Sequence, residues 1–92
     1  MTIRWLDLAE KDLDDLFASV ARDSLAIAEK EVERIIGEVA RLQSHPATGR
    51  PGRVPETREL VIPPYIVAYR VKAGTVQILR VLHSARSWPA KF

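Results

Sequence analysis

Ninety-two residues, 47% apolar and 28% charged, suffice for one domain around one core and exclude both wholesale disorder and two independently folded units. Cysteine is absent, which removes disulfides, thiolate nucleophiles and cysteine-ligated metals together. The net charge of +2 hides an asymmetry, because residues 1–49 hold 6 Lys/Arg against 10 Asp/Glu whereas residues 50–92 hold 8 against 2; an anionic partner is expected to dock on the second half.

No apolar run approaches the roughly 20 residues needed to span a bilayer, and the N-terminal stretch lacks the apolar core of a signal peptide. A cytosolic protein with no membrane partner is expected. Taken in chain order, Ile3 and Trp5 alternate with Thr2 and Arg4 as a half-buried strand does. Asp7, three residues before Glu10, has the spacing of a capping box and predicts a helix start. Leu13, Leu16, Phe17 and Val20 then fall on one helical face, opposite Lys11, Asp14, Asp15 and Ser19.

Asp23 and Ser24 are both good N-caps for a second helix. From about Leu25 to Leu42 its apolar stripe is Ala28, Val32, Ile35, Ile36, Val39 and Leu42. Two amphipathic helices joined by so short a link form an antiparallel hairpin. Gly37 lowers helix propensity by about 1 kcal/mol relative to alanine, which marks either a close backbone approach or nothing at all.

Ser44 to Pro55 is rich in proline and glycine and cannot continue the helix; this long loop carries Arg50 and Arg53. Thr57 to Ile62 alternates as a strand that Pro63 and Pro64 end. Tyr65 to Val71 and Thr75 to His83 form two more strands around a turn at Lys72, Ala73 and Gly74. The expected architecture is a single α+β domain over residues 1–92: an N-terminal strand, an antiparallel helical hairpin, then a three-strand antiparallel meander with the helices packed on one face.

Strict alternation along the last strand sets Val76, Ile78, Arg80 and Leu82 on one face and Gln77, Leu79, Val81 and His83 on the other. Arg80 on an apolar face requires exposure at the rim or a carboxylate partner, Glu59 or another. His83, with Arg80 and Arg86 three residues to either side, is a candidate general base or a strand-end residue bonded to a carbonyl. His45 beside Pro46 reads as a surface residue. Two distant histidines without a metal-binding motif argue against a metal, no GxSxG turn surrounds Ser84 or Ser87, and GRPGR lacks the lysine and helix of a phosphate loop. What remains is Arg50, Arg53, Arg58, Arg70, Arg80 and Arg86 mixed with Tyr65, Tyr69 and Trp88, a combination suited to phosphates and unpaired bases.

The order strand, helical hairpin, GRPGRVPETRELVI, PYIVAYRV and VQILRVLHSARSWP resembles the RelE/ParE toxin superfamily of bacterial type II toxin–antitoxin modules, some of them plasmid-stabilisation systems. The resemblance spans nearly the whole chain and implies a growth-arresting toxin without cofactor or metal, neutralised by a cognate antitoxin that wraps around it. It further implies one of two mechanisms. RelE-like members cut messenger RNA on the ribosome, and by position Arg58 and Arg80 match phosphate-binding arginines, with His83 available to substitute as the proton carrier. ParE-like members inhibit DNA gyrase without cutting RNA. Trp88 stands near the place of the cleaving branch's tyrosine, and an indole has no titratable proton at physiological pH. That departure and the small net charge favour the gyrase-directed branch. Arg50, Arg53, Arg86 and Trp88 are then expected to contact the target or a phosphate, and Leu13, Phe17 and Val20 the antitoxin.

Overall fold

The computed structural model describes residues 1–89 and 91–92. The elements are β1 (Thr2–Trp5), α1 (Asp7–Ala21), α2 (Leu25–Ala40), a 3₁₀ turn (Arg41–Gln43), β2 (Arg50–Pro51), β3 (Arg58–Ile62), β4 (Tyr65–Lys72) and β5 (Thr75–His83). They form a five-stranded sheet in the order β1-β5-β4-β3-β2. The expected meander is present as β3, β4 and β5, joined by antiparallel pairing. The sheet as a whole is nevertheless mixed, since β1 pairs parallel to β5, Ile3 opposite Val76 and Trp5 opposite Ile78. β2 adds an antiparallel edge within the stretch expected to be a loop. Alternation marks which residues share a face but carries no information about strand direction or partner, which is why these two pairings lay outside the sequence pattern.

The capping box at Asp7 does not form. Leu6 is still extended and its N–H donates to the Ile78 carbonyl at 3.0 Å, so the chain passes from sheet to helix without a side-chain cap. Asp7 and Glu10 instead sit in the first turn, where negative charge complements the helix dipole. Ser24 does cap α2, its hydroxyl accepting from the Ile27 N–H at 3.2 Å. Gly37 is exposed, and a Cβ there would meet nothing within 4 Å, so no close approach explains it.

Ile35, Val39 and Leu42 from the helical layer meet Leu60, Ile62, Val67, Tyr69, Val76, Ile78 and Val81 from the sheet, with Ile3, Trp5, Leu13 and Leu16 packed around them. Burial of the apolar stripe explains why α1 and α2 lie on this face. The strict alternation expected of β5 is broken by a bulge: Ala68 opposes Arg80, Tyr69 opposes Ile78, and Leu79 is the extra residue. Val76, Ile78 and Val81 therefore all join the helix-side core, and Arg80 leaves the face of Ile78. On the reverse face Ile66, Ala68, Leu79 and Leu82 are also buried. Ala73 and Gly74, with φ of 50° and 75°, make the two-residue turn between β4 and β5. Among the described residues, no helix is long and apolar enough to cross a membrane.

Candidate functional site

Asp12 projects from α1 to the edge of β5 just beyond the end of β1. Its carboxylate accepts from Arg80 Nε at 2.7 Å, from Arg80 Nη2 at 3.0 Å and from the Val81 backbone N–H at 2.9 Å. One side chain thus satisfies a guanidinium and a backbone donor that β1 leaves uncovered on β5, and its hydrogen bonds push Arg80 further above its ordinary pKa. The carboxylate required by Arg80 is Asp12, not Glu59.

Glu59 serves a second cluster. It is 3% exposed, and its oxygens accept from Arg50 Nη2 at 3.0 Å, Arg53 Nε at 3.0 Å and the Arg53 backbone N–H at 2.8 Å. Burial pushes this carboxyl upward, but the Arg53 and Arg50 hydrogen bonds outweigh it and hold the pKa down to about 2. The free face of the Arg53 guanidinium covers the Trp88 ring at 4.1 Å.

Arg58 lies on the other face of the sheet. It pairs with Tyr69, which belongs to the helix-side core, and Arg58 Nη1 donates to the Gly49 carbonyl at 2.7 Å. Tyr69 is fully buried; its hydroxyl donates to the Pro46 carbonyl at 2.7 Å and accepts from the Gly49 N–H at 2.8 Å. It clamps the loop and offers no ring face to a base. Burial pushes its phenol above the ordinary pKa.

His83 sits at the exposed end of β5 and meets Tyr65 edge-on at 5.9 Å. Its Nδ1 accepts from the Ala85 N–H at 3.1 Å, so the expected bond to a carbonyl is replaced by one that accepts a backbone donor. His83, Tyr65 and Arg86 share a cleft of about 260 Å³ with Asp15, Leu16 and Val20 of α1. Burial, and then the Glu31 charge, push the Tyr65 phenol above its ordinary pKa. Of the residues expected to meet an antitoxin, Leu13, Phe17 and Val20 are all half-buried along α1.

The candidate triad does not converge on one face. Arg58 and Arg80 occupy opposite faces because their cross-strand partners, Tyr69 and Ala68, are adjacent residues of β4. Among the described residues, no group of three or more His, Asp or Glu side chains could hold a metal ion. Asp12 was the side chain of this cluster least visible in the sequence. The available signal was its helical position: with Ala9, Leu13 and Leu16 it falls at i+3 of a stripe that is otherwise apolar.

Residues 3–88 match the family described as ParE toxin of type II toxin-antitoxin system, parDE. The chain belongs to the ParE toxin family. This ParE-family toxin is 43% identical over 89 residues to the putative toxin Y4kP of Sinorhizobium fredii, covering 95% of this chain and 92% of that protein. It is 29% identical over 82 residues to toxin RelE2 of Caulobacter vibrioides, covering 89% and 93%. In three dimensions the ParE-family chain is similar to a chain of the chromosomal ParDE system from P. aeruginosa, with a TM-score of 0.82 and 33% identity over 90% of this chain and 95% of that one. Similarity to a chain of the RelBE2 toxin–antitoxin complex from Mycobacterium tuberculosis has a TM-score of 0.59 and 29% identity, covering 89% and 95%. The RelE/ParE resemblance read from the sequence is therefore correct, and the protein is a toxin of a type II toxin–antitoxin system.

Proposed function

We propose that this toxin arrests growth by binding and inhibiting DNA gyrase, and that a cognate antitoxin neutralises it. The observation that carries the reading is the engagement of four of its candidate arginines. Arg80 is bound to Asp12, Arg50 and Arg53 to Glu59, and Arg58 to loop carbonyls on the opposite face. Phosphoryl chemistry needs unpaired donors convergent on one developing charge; here Arg50, Arg53 and Arg80 neutralise the protein's own carboxylates and Arg58 is turned to the other face. The indole of Trp88 adds no acid or base. The higher structural similarity to the ParDE system than to RelBE2 points the same way.

Purified toxin added to a gyrase supercoiling reaction is expected to inhibit it or to trap cleaved DNA. Full supercoiling at micromolar toxin would overturn the reading. An mRNA endoribonuclease using Arg58, Arg80 and His83 is the alternative, and the cleft that brings His83 to Arg86 favours it. Codon-phased cuts on translated message that vanish in His83→Ala would establish that alternative.

Antitoxin docking is proposed along α1 at Leu13, Phe17 and Val20, beside the cleft. The two solved structures described above are those of toxin–antitoxin systems. Binding to the folded toxin alone must raise its melting temperature by linkage, so an unchanged melting temperature on mixing with the cognate antitoxin would refute the docking.

A further inference from the structure

The chain beyond β5 has little of its own to hold it in place. After His83 the backbone donates three hydrogen bonds among the described residues: Ser84 N–H to the Pro64 carbonyl and Arg86 N–H to the His83 carbonyl, each 2.9 Å, and Ala85 N–H to His83 Nδ1 at 3.1 Å. Pro89, Lys91 and Phe92 border a cavity of about 350 Å³ against Leu79, Arg80 and Leu8, so the tail lies over the sheet without filling the space beneath it. Yet Trp88 is largely covered. Its indole N–H is buried without a hydrogen-bond partner, its ring meets Phe92 edge-on at 6.2 Å, and one ring face lies under the Arg53 guanidinium.

What fixes that guanidinium is Glu59. Arg53 Nε and Nη2 both donate to the Glu59 carboxylate, at 3.0 and 3.2 Å, and the Arg53 backbone N–H adds a third bond at 2.8 Å. A guanidinium bonded along one edge keeps its plane, and only its flat face remains for an aromatic ring. Glu59 itself cannot swing out, because it is buried in β3 and Arg50 bonds it from β2. The geometry points to Glu59 as a positioning residue that, through Arg53, sets where the C-terminal tail and Trp88 lie on the sheet. This rests on the gyrase-directed reading only in so far as Trp88 and Arg86 contact the target; the positioning itself is independent of any target.

The test uses the full chain with Trp5→Phe, which leaves Trp88 as its one tryptophan. An exposed cation–π contact corresponds to about a five-fold change in an equilibrium. Arg53→Gln and Glu59→Gln are each expected to raise the detached population of the tail about five-fold, read as redder Trp88 emission and stronger acrylamide quenching. In the chain that retains Trp5, tryptic cleavage after Arg86 should accelerate by the same factor. Because Glu59 acts through Arg53, the double variant should detach the tail no further than Arg53→Gln alone, whereas a merely structural role for Glu59 would add to it. Arg53→Gln changes a half-exposed side chain, so an unchanged tail in that variant overturns the proposal even if Glu59→Gln fails to fold.

Unchanged quenching and unchanged cleavage in Arg53→Gln would overturn the proposal, as would additive loosening in the double variant. Gyrase inhibition is measured on the same proteins. A wild type that leaves gyrase untouched while the tail responds as expected sinks the gyrase reading and supports the positioning role. Inhibition by the wild type with no response of the tail does the reverse.

Discussion

Asp12 and Arg80 are 68 positions apart, yet the carboxylate of one holds the guanidinium of the other at 2.7 Å and takes the neighbouring Val81 N–H as well. The pair fastens α1 to β5 where β1 no longer covers that strand. Both side chains are mostly buried, at 8% and 17% exposure. Removing one partner leaves an uncompensated buried charge, so Asp12→Ala is expected to cost about 3 kcal/mol in urea unfolding. Adding Arg80→Met to Asp12→Ala should recover part of that loss, and strict additivity would contradict the pairing.

Glu59 makes stability depend on acid. Its folded pKa of about 2 lies below the ordinary 4.5, so the folded state binds this proton less readily than the unfolded chain does. The contribution is fully present above about pH 4.5 and is lost as pH falls towards 2. At about 1.4 kcal/mol per unit, the loss is on the order of 3 kcal/mol. Unfolding free energies across this range should therefore fall more steeply for the wild type than for Glu59→Gln.

The loop before β2 depends on a clamp around Gly49. Tyr69→Phe removes the hydroxyl that bridges the Gly49 N–H and the Pro46 carbonyl, leaving a buried donor unpaired at a cost of about 1–3 kcal/mol. Gly49→Ala attacks the same contact from the other side, since its Cβ would stand 2.6 Å from the Tyr69 hydroxyl and 3.0 Å from the Glu59 carbonyl oxygen. Both variants should melt earlier than the wild type, and amide exchange should quicken first in residues 46–53.

Ala73 is a non-glycine residue in the left-handed region, with φ of 50°. Two-residue turns of this kind favour asparagine followed by glycine, and Gly74 already occupies the second place. Ala73→Asn is expected to stabilise the protein by about 0.5–1 kcal/mol. A lower melting temperature in that variant would show that the turn carries no such strain.

The helices, their pairing and the β4–β5 hairpin were legible because each rests on local chemistry: apolar spacing, the Ser24 cap and the Ala73–Gly74 turn. The segments GRPGRVPETRELVI and VQILRVLH were likewise enough to point to the toxin superfamily. The site was legible only as an inventory. Arg50, Arg53, Arg58 and Arg80 look equivalent in one dimension, but three of them serve two buried carboxylates and the fourth binds carbonyls on the other face.

Read alone, the residues were enough for the α+β class, a basic second half and the segments of a RelE/ParE toxin, since composition, periodicity and motif are properties of neighbouring residues. Tertiary structure alone decided the parallel seat of β1, the bulge at Leu79 that turns Arg80 away from the face of Ile78, and the partner of each arginine. Those outcomes depend on contacts between residues as far apart as Asp12 and Arg80, whose energies exist only once the sheet and the helices have packed. The stretch from Thr75 to Trp88 carries both kinds of information: its strand and its hairpin are local, while Asp12 and Arg53 decide what its cations and its tryptophan touch.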